Sequence, residues 1–116
     1  MSDFDQERAK KFLQEREEKE KNRLEQSRKE TLDRTISILK EEFKESSIEV
    51  YLVGSILQPF QFKDFSDIDI VLKNFSGDYF EIWSKLSLKF DRTIEVILFE
   101  TCHFQDHILK TGLKVI

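Results

Sequence analysis

With 116 residues, 39% of them hydrophobic, the chain has material for one domain with a modest core. A formal net charge of −4 and a pI near 5.3 argue against DNA or RNA as the main partner, because phosphate neutralisation needs a basic face. The one cysteine, Cys102, has no internal disulfide partner, and no apolar run approaches the ~20 residues that span a bilayer. The start Met1-Ser2-Asp3-Phe4-Asp5 lacks the basic and apolar regions of a signal peptide. The expectation is a cytoplasmic protein with no membrane contact.

In chain order, residues 5–30 hold neither Pro nor Gly and are rich in Glu, Lys, Arg and Gln, all good helix formers. No apolar residue lies between Leu13 and Leu24. Pairs four apart, such as Glu7–Lys11 and Glu17–Lys21, must then support the helix. Two readings of this extension stay open: a solvated helix, or an arm that packs on another subunit through Phe4, Ala9, Phe12 and Leu13. Sustained heptads are missing, so a coiled coil is not expected. We divide the chain into a charged helical extension, residues 1–30, and a domain, residues 31–116. Because residues 14–23 offer no face to bury, removal of residues 1–26 is expected to leave the domain's thermal midpoint almost unchanged.

Leu32, Ile36, Leu39 and Phe43 form a single apolar stripe on an amphipathic helix, ended by Ser46-Ser47. Ile48–Val53 is rich in β-formers and closed by Gly54-Ser55. Residues 56–66, with Pro59, Phe60, Phe62 and Phe65, suggest a helical turn and then a loop. Its phenylalanines serve either as loop core or as a stacking or docking surface. Asp67–Lys73 is the second strand. Asp78 and Glu81 open a helix to about Phe90 that is expected to bury Phe80, Trp83, Leu86 and Phe90. Arg92–Phe99 alternates as a third strand. A last helix runs from about Thr101 to Lys110, with Gly112 as its stop. The fold class is α+β: a small mixed sheet with flanking helices and a long charged N-terminal helix.

Gly54-Ser55 is followed, after eleven intervening residues, by Asp67-Ile68-Asp69-Ile70-Val71. In a strand, Asp67 and Asp69 share one face while Ile68 and Ile70 share the other. Two like charges beside a hydrophobic core repel and are costly to desolvate, and a divalent cation relieves both costs. Glu95, flanked by Ile94 and Val96, can join them if strands two and three are neighbours. Three carboxylates around one or two Mg²⁺ ions suit in-line displacement at a phosphate, and the third could accept the proton of an attacking hydroxyl. The alternative is that these acids mark the wet face of a one-sided sheet. His103 and His107, four apart, could form one side of a metal site on a helix, but no further His or Cys supports that and packing or surface roles are favoured. Cys102 is expected to pack.

Gly54-Ser55, the Ser66-Asp67-x-Asp69 strand and Glu95 together resemble the signature of the DNA polymerase β nucleotidyltransferase superfamily. The small size resembles its minimal nucleotidyltransferase branch, and His107–Ile116 is similar to the Ile-Leu-x-x-Gly ending common there. The resemblance covers roughly Leu32 to Ile116. It departs in a spacing one residue longer between Ser55 and Asp67, in Ile56-Leu57-Gln58-Pro59-Phe60 where Arg-Ala-x-Gly often stands, and in Glu rather than Asp as third acid. The resemblance implies that Gly54, Ser55 and Ser66 contact the nucleotide, and that Asp67, Asp69 and Glu95 are catalytic and bind Mg²⁺, with ATP as substrate. It further implies an antitoxin that transfers AMP to a tyrosine hydroxyl of a HEPN-domain ribonuclease toxin, the acceptor being supplied by that partner. Nucleotidylation of a small molecule such as an aminoglycoside, or inhibition by binding alone, are the alternatives.

Overall fold

The computed structural model describes residues 3–116, with side chains from Asp5 onward, so the expected contact of Phe4 lies outside the described residues. Helix α1 (Asp3–Glu42) is one unbroken run of 40 residues, continuous across residues 30–31. At 1.5 Å per residue it is about 60 Å long, far longer than the domain it serves. Residues 5–23 are exposed throughout. From Leu24 onward the helix meets the domain, and its buried row is Glu25, Arg28, Thr35 and Leu39, continued by Phe43 just past its end, with Leu32 and Ile36 half-buried beside it. The apolar stripe read from residues 32–43 therefore exists, and two ionic residues extend it.

Four strands, β1 (Glu49–Val53), β2 (Ile68–Lys73), β3 (Ile94–Leu98) and β4 (Leu113–Lys114), form one mixed sheet in the order β3-β2-β1-β4. β1 is antiparallel to β2 and β4, while β2 and β3 are parallel, joined through helix α2 (Tyr79–Ser87). The two-residue β4 was not foreseen. It follows helix α3 (Gln105–Thr111) at Gly112, where a Cβ would meet the Ile108 carbonyl oxygen at 2.5 Å and Val53 Cγ1 at 3.2 Å. Gly112 has an ordinary φ of −72°, so it is the close approach of the Ile108 carbonyl at the end of α3, with β1 packed behind it, that selects glycine here.

Both faces of the sheet are covered. Val50, Leu52, Ile68, Ile70, Leu72, Ile94 and Val96 pack with Leu39 of α1, Phe43 just after it and Leu86 of α2. Tyr51, Val53 and Val71 face the other way, under Phe99 and Ile108, with Ile97 and Cys102 at their margin. Cys102 thus packs, as expected. A one-sided sheet with a wet face is excluded, because residues on the acids' face are buried.

Local departures have physical causes. The core-facing row of α2 is Tyr79, Ile82 and Leu86, with Phe90 packing beyond its end, so Phe80 is 74% exposed and Trp83 only partly covered, against expectation. Asp78 caps α2 by accepting from the Glu81 N–H, as its position suggested, but the helix ends at Ser87, short of Phe90. α3 begins at Gln105, after a 3₁₀ turn at Phe99–Thr101, so His103 precedes the helix and shares no helical face with His107; both are exposed. The phenylalanine trio divides: Phe62 is core, whereas Phe60 and Phe65 are exposed. Among the described residues no helix is long and apolar enough to cross a membrane.

Candidate active site

β1 ends at Val53, and the chain turns through Gly54 into a 3₁₀ turn at Ser55–Leu57. Gly54 has a φ of +85°, which L side chains rarely adopt, and a Cβ built on it would collide with the Asp69 carboxylate. The backbone turn and the acid therefore touch, and only glycine permits it. Among the described residues no hydrogen bond engages the Ser55 hydroxyl, which leaves it available to a ligand.

Asp69 pairs with Val53 of β1 on one side and with Glu95 of β3 on the other. Residues in register across neighbouring strands share a face about 4.8 Å apart, so the parallel β2–β3 pairing sets Asp69 and Glu95 side by side. Asp67 stands one residue before β2, exposed at the same end of the sheet. Burial first, then the charge of Glu95, a hydrogen bond shared with it, and the charge of Asp67 push the Asp69 carboxyl up to about 6. Asp67, Asp69 and Glu95 are thus brought together, as their alternation with Ile and Val suggested.

Their surroundings differ from those of the acids that meet bases elsewhere in the domain. Glu49, at the far end of the same face, is bridged by Lys114 at 2.8 Å and Lys73 at 3.5 Å. Glu42 is met by Lys85 and Lys89, and Glu25 by Arg28. Among the described residues no Lys, Arg or His forms an ion pair with Asp67, Asp69 or Glu95. Three adjacent carboxylates without an ion-pair partner are a set whose repulsion a proton or a cation relieves. They do not form a closed cage: among the described residues no three His, Cys, Asp or Glu side chains already converge as a metal-ligand group. Such a donor set fits Mg²⁺, which binds through one or two carboxylates and completes its shell with water and substrate phosphate oxygens.

Ser66 has a local task. Its hydroxyl accepts from the Lys63 N–H at 2.9 Å, and its carbonyl accepts from Arg92 at 2.8 Å, fixing the turn that delivers Asp67. Three side chains escaped the sequence reading. Arg28 and Glu25, both buried, form a bidentate pair at 2.7 and 2.9 Å on α1, and Arg28 beside it and the Phe60 N–H hold the Glu25 carboxyl down at about 2. Arg92 lies over the Phe62 ring at 4.2 Å. The signal for the first two was present: Glu25 and Arg28 lie three apart, in line with the apolar stripe of residues 32–43. Arg92 carried no such signal.

A strand ending in a glycine turn against unpaired carboxylates, on a mixed sheet between helices, defines a protein of the nucleotidyl-transfer class. Residues 32–111 match the family model described as a nucleotidyltransferase domain, and the chain belongs to that family, within the polymerase β-like superfamily. No curated protein matches the chain.

Proposed function

We propose that the chain transfers AMP from ATP to a hydroxyl of a partner protein, a tyrosine of a HEPN-domain ribonuclease toxin, and thereby neutralises it. The observation that carries the nucleotidyl-transfer part is the unpaired acid trio beside Gly54. In this reading Gly54 and Ser55 receive the β- and γ-phosphates, and Asp67 and Asp69 hold Mg²⁺. Bound there, the cation supplies charge neutralisation on the phosphate oxygens. The acceptor oxygen attacks the α-phosphorus, the bond to the β-phosphate's bridging oxygen breaks, and pyrophosphate leaves. Glu95, exposed next to Asp69, joins the metal site or takes the proton of the attacking hydroxyl. Ser66 supports the nucleotide side through the turn it holds.

The protein acceptor rests on the resemblance to minimal nucleotidyltransferases and on the openness of the site. Asp67 and Glu95 are exposed to solvent, which suits a side chain presented by a second macromolecule. The protruding part of α1, where Phe12 is 60% and Leu13 56% exposed, is the surface we assign to docking. The test is to incubate the chain with ATP, Mg²⁺ and the product of a neighbouring gene, then weigh both proteins intact. Addition of AMP to the neighbour supports the proposal. ATP turnover onto a small hydroxyl compound instead would favour small-molecule transfer, and inhibition of the neighbour without any mass change would favour binding alone.

A further inference from the structure

Residues 56–66 connect the phosphate turn to the first acid, so their conformation sets the distance between the two halves of the site. Most of this connection is exposed, yet it is held at both ends by buried or stacked arginines. Near its start, Arg28 Nη1 donates to the Ile56 carbonyl at 3.0 Å, while Glu25, locked to Arg28, accepts from the Phe60 N–H at 3.0 Å. Phe60 has a φ of +64°, a conformation that non-glycine residues avoid, and these bonds hold it there. Near its end, Arg92 Nη1 donates to the carbonyls of Lys63 at 3.0 Å and Ser66 at 2.8 Å.

A buried ion pair adds little stability over a well-packed apolar pair of the same volume, so stability alone does not account for Glu25 and Arg28 at a helix–loop contact. What the pair supplies is position. We propose that Glu25, Arg28 and Arg92 are positioning residues that hold the 56–66 connection so that Gly54-Ser55 and Asp67 engage the same nucleoside triphosphate. This rests on the nucleotide-binding reading of those residues. Because Glu25 and Arg28 belong to α1, the helix that protrudes from the domain also splints the site.

The test compares Glu25→Gln/Arg28→Met, which removes both charges but keeps an oxygen for the Phe60 N–H, with Arg92→Ala and Arg92→Lys. Hydrogen exchange of the 55–66 amides and calorimetric binding of ATP with Mg²⁺ are measured on the full chain. The expected result for the double variant is a thermal midpoint near wild type, loop exchange at least about tenfold faster, and ATP affinity at least about tenfold weaker. Arg92→Ala behaves likewise, and Arg92→Lys restores both quantities. If the double variant does not fold, the Arg92 comparison decides alone. Wild-type exchange, or wild-type ATP affinity despite a loosened loop, overturns the positioning role. Failure of the wild-type chain itself to bind ATP with Mg²⁺ overturns the nucleotide-binding reading, and the positioning role with it.

Discussion

Asp69 is where charge, burial and backbone meet. Its carboxyl titrates near 6 in the folded chain but near the ordinary value of 3.8 when unfolded. Between those values the folded state binds more protons, so without a cation stability falls as pH rises through this window and stays lower above it. Asp69→Asn removes that cost. In chelator, its thermal midpoint at pH 7–8 should exceed wild type by an amount worth about 1 kcal/mol, after allowance for solvent screening of a half-exposed group. The gain should vanish by about pH 4, while nucleotidyl transfer is abolished at every pH. A midpoint difference independent of pH would refute the acid-cluster account. Gly54→Ala meets two obstacles, a positive φ and the Asp69 carboxylate. It should cost about 1–3 kcal/mol in denaturant unfolding and remove ATP binding; a neutral substitution would show that turn and acid do not touch.

At the scale of elements, α1 is two things in one helix. Residues 5–22 are exposed along their whole length; from Arg23 the helix bonds to Asp64 at 2.8 Å and then buries Glu25 and Arg28. The harmless cut is therefore earlier than residue 26. Removing residues 1–22 should leave the thermal midpoint within about 1–2 °C, whereas removing 1–26 leaves Arg28 without its partner and should lower it by about 5 °C or more. Equal midpoints for the two truncations would show that the pair is dispensable. β3 is an edge strand, yet its edge is closed. The Ile68 N–H takes the Thr93 carbonyl, so alternate carbonyls of β3 point outward, and these are met by side chains: Ile94 by Trp83, Val96 by Tyr79, Leu98 by Thr101. Strand addition is discouraged there.

The whole molecule measures 67 × 29 × 20 Å, with a radius of gyration of 18.9 Å. A compact chain of this length would have ~13 Å, and the difference is the projecting helix. Small-angle scattering should register a fall to ~12–13 Å on removal of residues 1–22; a value that stays near 18 Å would mean that the elongation lies elsewhere. The open acid trio also makes a prediction about linkage. Mg²⁺ alone has too few protein ligands to bind tightly, so it should barely move the thermal midpoint. Mg²⁺ with ATP at about 100 times its dissociation constant should stabilise by about 2.7 kcal/mol, a shift of several degrees in a thermal scan. An equal shift from Mg²⁺ alone would point to an all-protein metal cage.

What local pattern could encode was legible in the sequence. The alternation around Asp69 and Glu95 set each acid among buried neighbours, Gly54-Ser55 marked a strand end, and Leu32 to Phe43 traced a helix face, all through interactions within a few residues. The tertiary structure decided what depends on distant partners. The parallel register of β2 and β3 set Glu95 beside Asp69, and packing under Phe99 and Ile108 turned an apparent wet face into a second core. The roll of α2 exposed Phe80, and contact with the 56–66 connection buried an ion pair on a helix whose composition suggested solvent. Periodicity specifies which residues share a face, but which face is covered, and by what, is settled only when elements far apart in the chain compete for the same apolar surface.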